Sequence, residues 1–448
     1  MTSMTLSREV LFAAATLVTV VSSGGLILGF GPVYTRLVSE HQWHELCPLH
    51  MTRVCPEQEV QLQNVYSTGF LCVVLGQAVF GATLDIVGPR YTSTIAAIFT
   101  IAGNLCLAIG DSRDGLLLTG YALVGFGGMG VLFASLQLSE LFATPSIYCG
   151  ILVAAFYASG YVYVLLELPI ARATFFHVYA GLVALCAVLC FVLYPVEHVS
   201  AVAASVQIPG LALGRPHANL SKFRGLYASF KQQMRRRDFW AFVSIGAVLT
   251  LTNVFVGGAI PNMVKRLAPN DLDEQNTYTN YVYPLVSNAS FLFAPPMGFL
   301  IDRVGFRKVA VLTILVFALL CGALMLPSLH GQVLGYLLLA LGVGALTSMQ
   351  YAYIMTCFPS KLYGLLSATA MLLVFSFCLL SYALTPLAQH TFDGNNNYVL
   401  LLLLAPTLAV LLLVRFIYEP VECNELHTQL LSPTHEAPSV ICHDDGDV

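Results

Sequence analysis

Long apolar stretches alternate with short polar stretches along the whole chain. Twelve of the apolar stretches have roughly the 20 residues that an α-helix needs to cross the hydrocarbon core of a bilayer. The longest interior polar stretch, Glu197 to Asp238, leaves six of them on either side. The pattern predicts an all-α polytopic membrane protein with two six-helix halves. The predicted spans are 10–32, 62–84, 92–110, 116–140, 147–168, 174–195, 239–262, 280–301, 308–327, 331–357, 362–388 and 397–417.

The composition agrees with a membrane protein. Of 448 residues, 57% are hydrophobic and only 10% are charged, whereas a soluble domain carries about 25% charged residues. The polar stretches predict where the parts of the chain begin and end. We expect an N-terminal half at 1–196, a cytoplasmic central loop at 197–238, a C-terminal half at 239–418, and a disordered cytoplasmic tail at 419–448.

One charged motif, G-x-x-x-D-x-x-G-x-R, occurs twice, each time between two apolar stretches. The second copy begins 217 positions after the first, and the glycine pairs Gly125-x-Gly127 and Gly342-x-Gly344 show the same offset. Repetition at corresponding positions indicates two homologous halves, which is typical of secondary transporters. The motif residues are Gly81, Asp85, Gly88 and Arg90 in the first half, and Gly298, Asp302, Gly305 and Arg307 in the second.

The residue types of the motif suit a hinge between two helices. Gly88 allows a tight reversal of the chain, and Asp85 can meet the positive N-terminus of a neighbouring helix. Such a contact would form only while that side of the protein is closed, so it would act as a latch between two states. The alternative is a plain short loop whose charges only set the topology.

Lys and Arg are distributed unequally between the two sides of the predicted bundle. With twelve spans both termini share a side, and that side carries fourteen of these cations against six on the other. The excess predicts cytoplasmic termini, a cytoplasmic central loop and cytoplasmic motifs. The loop that contains Cys47 and Cys55 is then outside, where the two thiols either form a disulfide or stay unpaired.

The repeated motif resembles the loop signature of the major facilitator superfamily, found between helices two and three and again between eight and nine. Parts of the first half look more specifically like solute carrier family 43, which comprises sodium-independent transporters of large neutral amino acids and a related nucleobase carrier. Beyond Lys222 the likeness is to the general superfamily pattern. The closer segments are Gly29 to Glu40, Leu46-Cys47, Gly81 to Arg90, Gly125 to Gly130 and Phe133 to Phe142.

The resemblance implies a major facilitator fold with a central cavity lined mainly by spans one, four, seven and ten. It also implies an alternating-access, sodium-independent uniporter for large neutral amino acids. We expect a monomer in the plasma membrane. Two alternatives stay open: a carrier of nucleobases or another small neutral metabolite, and a nutrient receptor that keeps the fold without transporting.

Polar residues and helix breaks within apolar spans are the candidate substrate-binding positions. Ser22, Ser23, Gly24 and Gly25 interrupt span one, where freed N–H groups would suit a carboxylate and freed carbonyls an ammonium. Close packing of small residues is the alternative. The other candidates either touch substrate or form interhelical hydrogen bonds. They are Gln137, Tyr157, Ser159, Asn253, Ser348 and Gln350.

Proton or sodium coupling would need an ionisable or oxygen-rich site inside the membrane. Glu167 is the only acidic residue inside a predicted span and well apart from the cytoplasmic boundary. It is a solvated residue at the outer end of span five, a proton site, or a gate partner of Arg172. This scarcity favours facilitated diffusion. The sequence also has no phosphate loop, metal constellation or nucleophile–base pair, so we expect no enzyme activity, cofactor or metal. It has no basic patch of the kind that binds nucleic acid, so we expect no nucleic-acid partner.

Overall fold

The computed structural model describes residues 8–48, 54–142, 145–196, 229–358 and 362–419. These residues form helices and connecting turns, without a strand in the described ranges. Twelve helices are long and apolar enough to cross a membrane, which confirms the predicted all-α class. They are α1 (Arg8–Leu28), α2 (Pro56–Leu84), α3 (Ile86–Ile109), α4 (Leu116–Ser139), α5 (Tyr148–Glu167), α6 (Arg172–Leu193), α7 (Arg237–Leu267), α8 (Leu272–Ile301), α9 (Phe306–Leu324), α10 (Leu329–Ile354), α11 (Leu365–Thr391) and α12 (Asn396–Phe416).

In both halves the chain reverses direction at the same position of the motif. Gly88, between α2 and α3, has φ of 79°, and Gly305, between α8 and α9, has φ of 87°. Both values lie in the left-handed region that glycine adopts without a steric penalty. A Cβ atom on Gly88 would also lie 2.3 Å from the carbonyl oxygen of Val196. Gly88 and Gly305 are therefore required by backbone geometry.

The motif arginines link helices within their own half. Arg90 Nε donates to the Tyr194 carbonyl oxygen after α6, and Arg307 Nε donates to the Ile417 carbonyl oxygen after α12, both at 2.7 Å. The equivalent contacts support the predicted duplication. The side chains of Asp85 and Asp302 lie outside the described part of the structure, so the predicted latch stays a prediction. Most of the central loop (197–228) and the tail from 420 onward lie outside it as well.

A disulfide joins Cys47 and Cys55, with an S–S distance of 1.96 Å, just before α2 begins. The motif lies at the opposite end of α2. We call the two ends of the bundle the disulfide end and the motif end.

The two halves are held together at the disulfide end and near mid-bundle. Thr35 donates to Asn280 at 2.7 Å, and Tyr161 donates to the Leu285 carbonyl oxygen at 3.0 Å. Closer to the middle, the hydroxyls of Thr68 and Tyr382 lie 2.6 Å apart. These contacts join α2, α5 and the short helix that continues α1 (Phe30–Ser39) to α8 and α11. The disulfide end is therefore closed.

Candidate functional site

A cavity of about 500 Å³ lies between the two halves. Its walls come from α1, α2, α4 and α5 of the first half and from α7, α10 and α11 of the second. At the motif end it is lined by Leu84, Leu136 and Ser139, which are at or near the ends of α2 and α4. At the other end it reaches the break in α1. The cavity thus extends from mid-bundle to the motif end, and its size suits a small molecule.

The cavity wall is mainly apolar, with a few uncharged polar groups. Gln77 Nε2 donates to Tyr351 Oη at 3.1 Å, so an amide and a phenol from opposite halves meet there. The described lining residues include no Asp, Glu, Lys, Arg or His. An isolated charge is expensive in such surroundings. The wall therefore suits a molecule that is neutral or whose own charges offset each other.

Five of the ten candidate binding residues line this cavity. Gly24, Gln137, Tyr157, Asn253 and Gln350 come from α1, α4, α5, α7 and α10. These include the four spans that the family resemblance implied. Tyr157 also reaches across to the second half, because its hydroxyl lies 2.9 Å from the hydroxyl of a threonine in α10.

Ser22, Ser23 and Ser159 instead lie in contacts between or within helices. Ser23 Oγ donates to Ser159 Oγ at 3.1 Å, and this bond joins α1 to α5. Ser22 Oγ donates back to the Val18 carbonyl oxygen one turn earlier, at 2.8 Å. All three serines are fully buried.

Gly25 and Ser348 also lie at helix contacts. A Cβ atom on Gly25 would lie 1.8 Å from the Phe156 carbonyl oxygen, so only glycine lets α1 approach α5 this closely. Ser348 Oγ donates to the Ala294 carbonyl oxygen at 2.9 Å and so joins α10 to α8. For Gly25 the geometry favours the packing alternative, and for Ser348 it favours the interhelical hydrogen bond.

The break in α1 has the predicted position. The α-helix ends at Ser22, and a 3-10 turn follows at Gly24–Leu28. The protein itself already binds two carbonyl groups at the break. Tyr179 Oη donates to the Val21 carbonyl oxygen, and Tyr121 Oη donates to the Ile27 carbonyl oxygen at 3.0 Å. Although these acceptors are occupied, Gly24, Ile27 and Leu28 of the break still line the cavity, where a substrate could reach them.

Of the three interpretations of Glu167, the pair with Arg172 does not form in this structure. Glu167 is exposed at the disulfide end, where the nearby positive charge is that of Arg36. Arg172 forms a salt bridge with Glu40 at 2.6 Å and also donates to carbonyl groups at the end of α3. The first residue of α6 thus reaches the loop after α1 rather than the end of α5.

Sequence reasoning missed a buried charged group at the disulfide end. Tyr34 Oη donates to Glu59 Oε2 at 2.6 Å and accepts from Lys265 Nζ at 2.8 Å. We call these three residues the Glu59–Tyr34–Lys265 bridge. Burial and the Glu59 carboxylate raise the pKa of the Tyr34 phenol well above its usual value, so it keeps its proton. The bridge connects α2 of the first half to α7 of the second.

The predicted ends of the spans explain why the bridge was missed. Glu59 and Lys265 fall just outside the predicted spans 62–84 and 239–262. In a sequence, a charge at such a position indicates the end of a membrane span. In the structure α2 begins at Pro56 and α7 continues to Leu267. Glu59 is consequently only 2% exposed. Glu59 lies four residues before Gln63, so the two can form a hydrogen-bonding pair on one helix face. That spacing was a signal that the helix begins before residue 62.

Known proteins support the fold, and they leave the substrate open. The crystal structure of the nucleoside transporter NupG (D323A mutant) superposes with a TM-score of 0.62 and 13% sequence identity, over 92% of this chain and 100% of that one. The chain therefore has the major facilitator fold, as predicted. Protein FMP42 of Saccharomyces cerevisiae is 30% identical over 130 residues, which is 28% of this chain and only 26% of FMP42. No protein-family profile matches.

Proposed function

We propose that this protein is an alternating-access transporter that carries large neutral amino acids as a sodium-independent, facilitative uniporter. The observation that carries the proposal is the uncharged cavity between the halves of a major facilitator fold. A zwitterion has no net charge, and its two charged groups can be met by amides and by the backbone at Gly24. The apolar wall would take a leucine-like side chain.

The resemblance to solute carrier family 43 in the first half favours amino acids over other neutral solutes. The absence of a carboxylate among the described lining residues favours transport without proton coupling, because proton relays in membranes use such groups. Sodium can bind backbone carbonyl groups at a helix break, but the Val21 and Ile27 carbonyl groups at the α1 break already accept from tyrosines. Glu167 and Glu59 do not change this. Glu167 is exposed at the disulfide end, and Glu59 lies at the same end, hydrogen-bonded to Tyr34 and Gln63.

The distribution of Lys and Arg supports an orientation with both termini and the motif end in the cytoplasm. The disulfide end then faces outward, as expected for a monomer in the plasma membrane. In that orientation the structure is an inward-facing state: its outer end is closed and its cavity reaches the cytoplasmic end. The division into halves at 1–196 and 239–418 fits the rocking motion that alternating access needs.

In this state the motif arginines bind within their own halves. We propose that Asp85 and Asp302 contribute to closing the cytoplasmic end in the opposite state. Gly81 and Gly298 have no side chain, and a Cβ atom on either would meet nothing within 4 Å in this state. The space beside them would then be open to a neighbouring helix end in the opposite state.

Competition for uptake by the purified protein in liposomes tests the substrate class. Labelled leucine is the reporter, and unlabelled leucine, phenylalanine and adenine are the competitors. We expect both amino acids to compete and adenine to have no effect. Transport of labelled adenine without transport of leucine would replace the amino acid assignment with the nucleobase alternative. Ligand binding without counterflow would favour the non-transporting receptor.

A further inference from the structure

A second cavity, of about 600 Å³, lies between the halves at the disulfide end. Glu59 and Lys265 of the bridge line it, together with Arg266, Asn262 and Gln389. Unlike the central cavity, this outer cavity therefore contains charges of both signs. The outer cavity and the central cavity lie on opposite sides of the contacts that close the disulfide end.

Tyr66 and Gly257 separate the two cavities. Tyr66 lies between Glu59 and the central cavity along α2, and Gly257 lies between Lys265 and Asn253 along α7. A Cβ atom on Gly257 would be 2.1 Å from Tyr66 Oη, so the tyrosine ring packs directly on the α7 backbone. A molecule that enters from the disulfide end would meet the Glu59–Tyr34–Lys265 bridge before it reaches this barrier.

The bridge presents a carboxylate and an ammonium to one cavity, from opposite halves. The hydrogen-bond lengths through Tyr34 Oη keep Glu59 Oε2 and Lys265 Nζ no more than about 5.4 Å apart. Gln63 Nε2 holds the other carboxylate oxygen at 3.0 Å. Separating the halves here without replacing the bridge would leave the buried Glu59 without its counter-charge and the partly buried Lys265 without its hydrogen-bond partner, which is costly.

We propose that the outer cavity is a first binding site for an amino acid zwitterion, which replaces the bridge. The ligand's ammonium would bind Glu59 and its carboxylate would bind Lys265. The inference rests on the proposed function and adds where the two charges of the substrate are recognised. Two charge-assisted hydrogen bonds of about 2.8 Å, with the zwitterion between them, need a gap of about 8 Å. Binding would therefore hold the halves further apart than the bridge does and would favour opening of this end.

This arrangement also explains how an uncharged central cavity can belong to a carrier of zwitterions. The described lining of the central cavity offers amides and hydroxyls, which discriminate weakly between a zwitterion and an uncharged molecule of similar shape. Paired opposite charges discriminate strongly, because an uncharged molecule leaves both of them unpaired. Selection would take place in the outer cavity, before the substrate passes the Tyr66 barrier.

The test measures uptake of labelled leucine from the disulfide end by full-length protein in liposomes. The variants are Glu59→Gln and Lys265→Met, and Glu57→Gln is the matched control because its carboxylate is half-exposed two residues from Glu59. Competitors are cationic leucinamide and anionic N-acetyl-leucine. Melting temperatures establish that each variant is folded.

We expect each bridge variant to raise the half-saturation concentration of leucine about tenfold or more, and Glu57→Gln to change it less than about twofold. Glu59→Gln should weaken competition by leucinamide and spare N-acetyl-leucine, and Lys265→Met should do the reverse. Equal changes for all ligands would show a structural closure only and would overturn the proposal. If neither analogue competes in the unmodified protein, the half-saturation concentration of leucine alone is the test. An unchanged value in both variants would then overturn the proposal. Absence of leucine transport by the unmodified protein overturns the proposed function as well.

Discussion

At the scale of single residues, the four motif glycines fall into two kinds. Gly88 and Gly305 share a positive φ, whereas Gly81 and Gly298 have ordinary helical backbone and open surroundings. The sequence motif treats the four glycines alike. Only the first pair is required by the backbone, so substitution separates the two kinds of position.

Gly88→Ala is expected to destabilise the protein. Gly88 has φ of 79° and ψ of 173°, a conformation that is essentially restricted to glycine and costs another residue about 1–3 kcal/mol. The added Cβ atom would also lie 2.3 Å from the Val196 carbonyl oxygen. Gly81→Ala is the matched control, and it should be neutral or stabilising by up to about 1 kcal/mol. Thermal unfolding in detergent measures both variants. Equal melting temperatures would contradict the assigned role of Gly88.

At the scale of elements, the break in α1 is stabilised by tyrosines from neighbouring helices. Tyr121 in α4 and Tyr179 in α6 donate to the carbonyl groups that the break leaves without a helical partner. These bonds fix where α1 bends and therefore where Gly24 faces the cavity. The break could be predicted from paired small residues, but its partners could not, because they are distant in sequence.

Tyr121→Phe is expected to destabilise the protein by about 1–3 kcal/mol, because it leaves the buried Ile27 carbonyl group without its partner. Tyr163→Phe is the control. Its hydroxyl is buried and has no hydrogen-bond partner among the described residues, so removing it should be neutral or stabilising. The free energies of unfolding of the two variants test this prediction. A larger loss of stability for Tyr163→Phe would contradict this description of the break.

The element scale also shows which predictions a sequence supports. Span number and the repeated motif follow from hydropathy and spacing, and the structure agrees on both. Side-chain direction does not, since Ser159 and Tyr157 are two residues apart in α5 and only Tyr157 lines the cavity. The Glu59–Tyr34–Lys265 bridge was missed because a charge near the end of an apolar stretch looks like a boundary until its partner on another helix is known.

At the scale of the whole molecule, contacts between the halves close the disulfide end while the central cavity reaches the motif end. Cys149 gives this asymmetry a direct reporter. It lies near the start of α5, lines the central cavity, and is not in a disulfide. A thiol reagent that cannot cross the bilayer should reach it from one side only.

We expect Cys149 to react at least about tenfold faster with a membrane-impermeant maleimide added at the motif end than at the disulfide end. Saturating leucine should slow the reaction, because it fills the cavity. Cys149→Ser identifies the signal of this site as the difference in labelling from the unmodified protein, because other thiols, such as Cys423 and Cys442 in the tail, also react. Faster labelling from the disulfide end would contradict the inward-facing assignment.

Uptake of labelled leucine by purified protein in liposomes tests the central proposal most directly. The measurement is made with and without a sodium gradient, and with and without a proton gradient. We expect saturable uptake that stops at equal concentrations inside and outside and that neither gradient changes. Accumulation driven by either gradient would contradict uniport, and the absence of saturable leucine uptake under every condition would contradict the amino acid assignment.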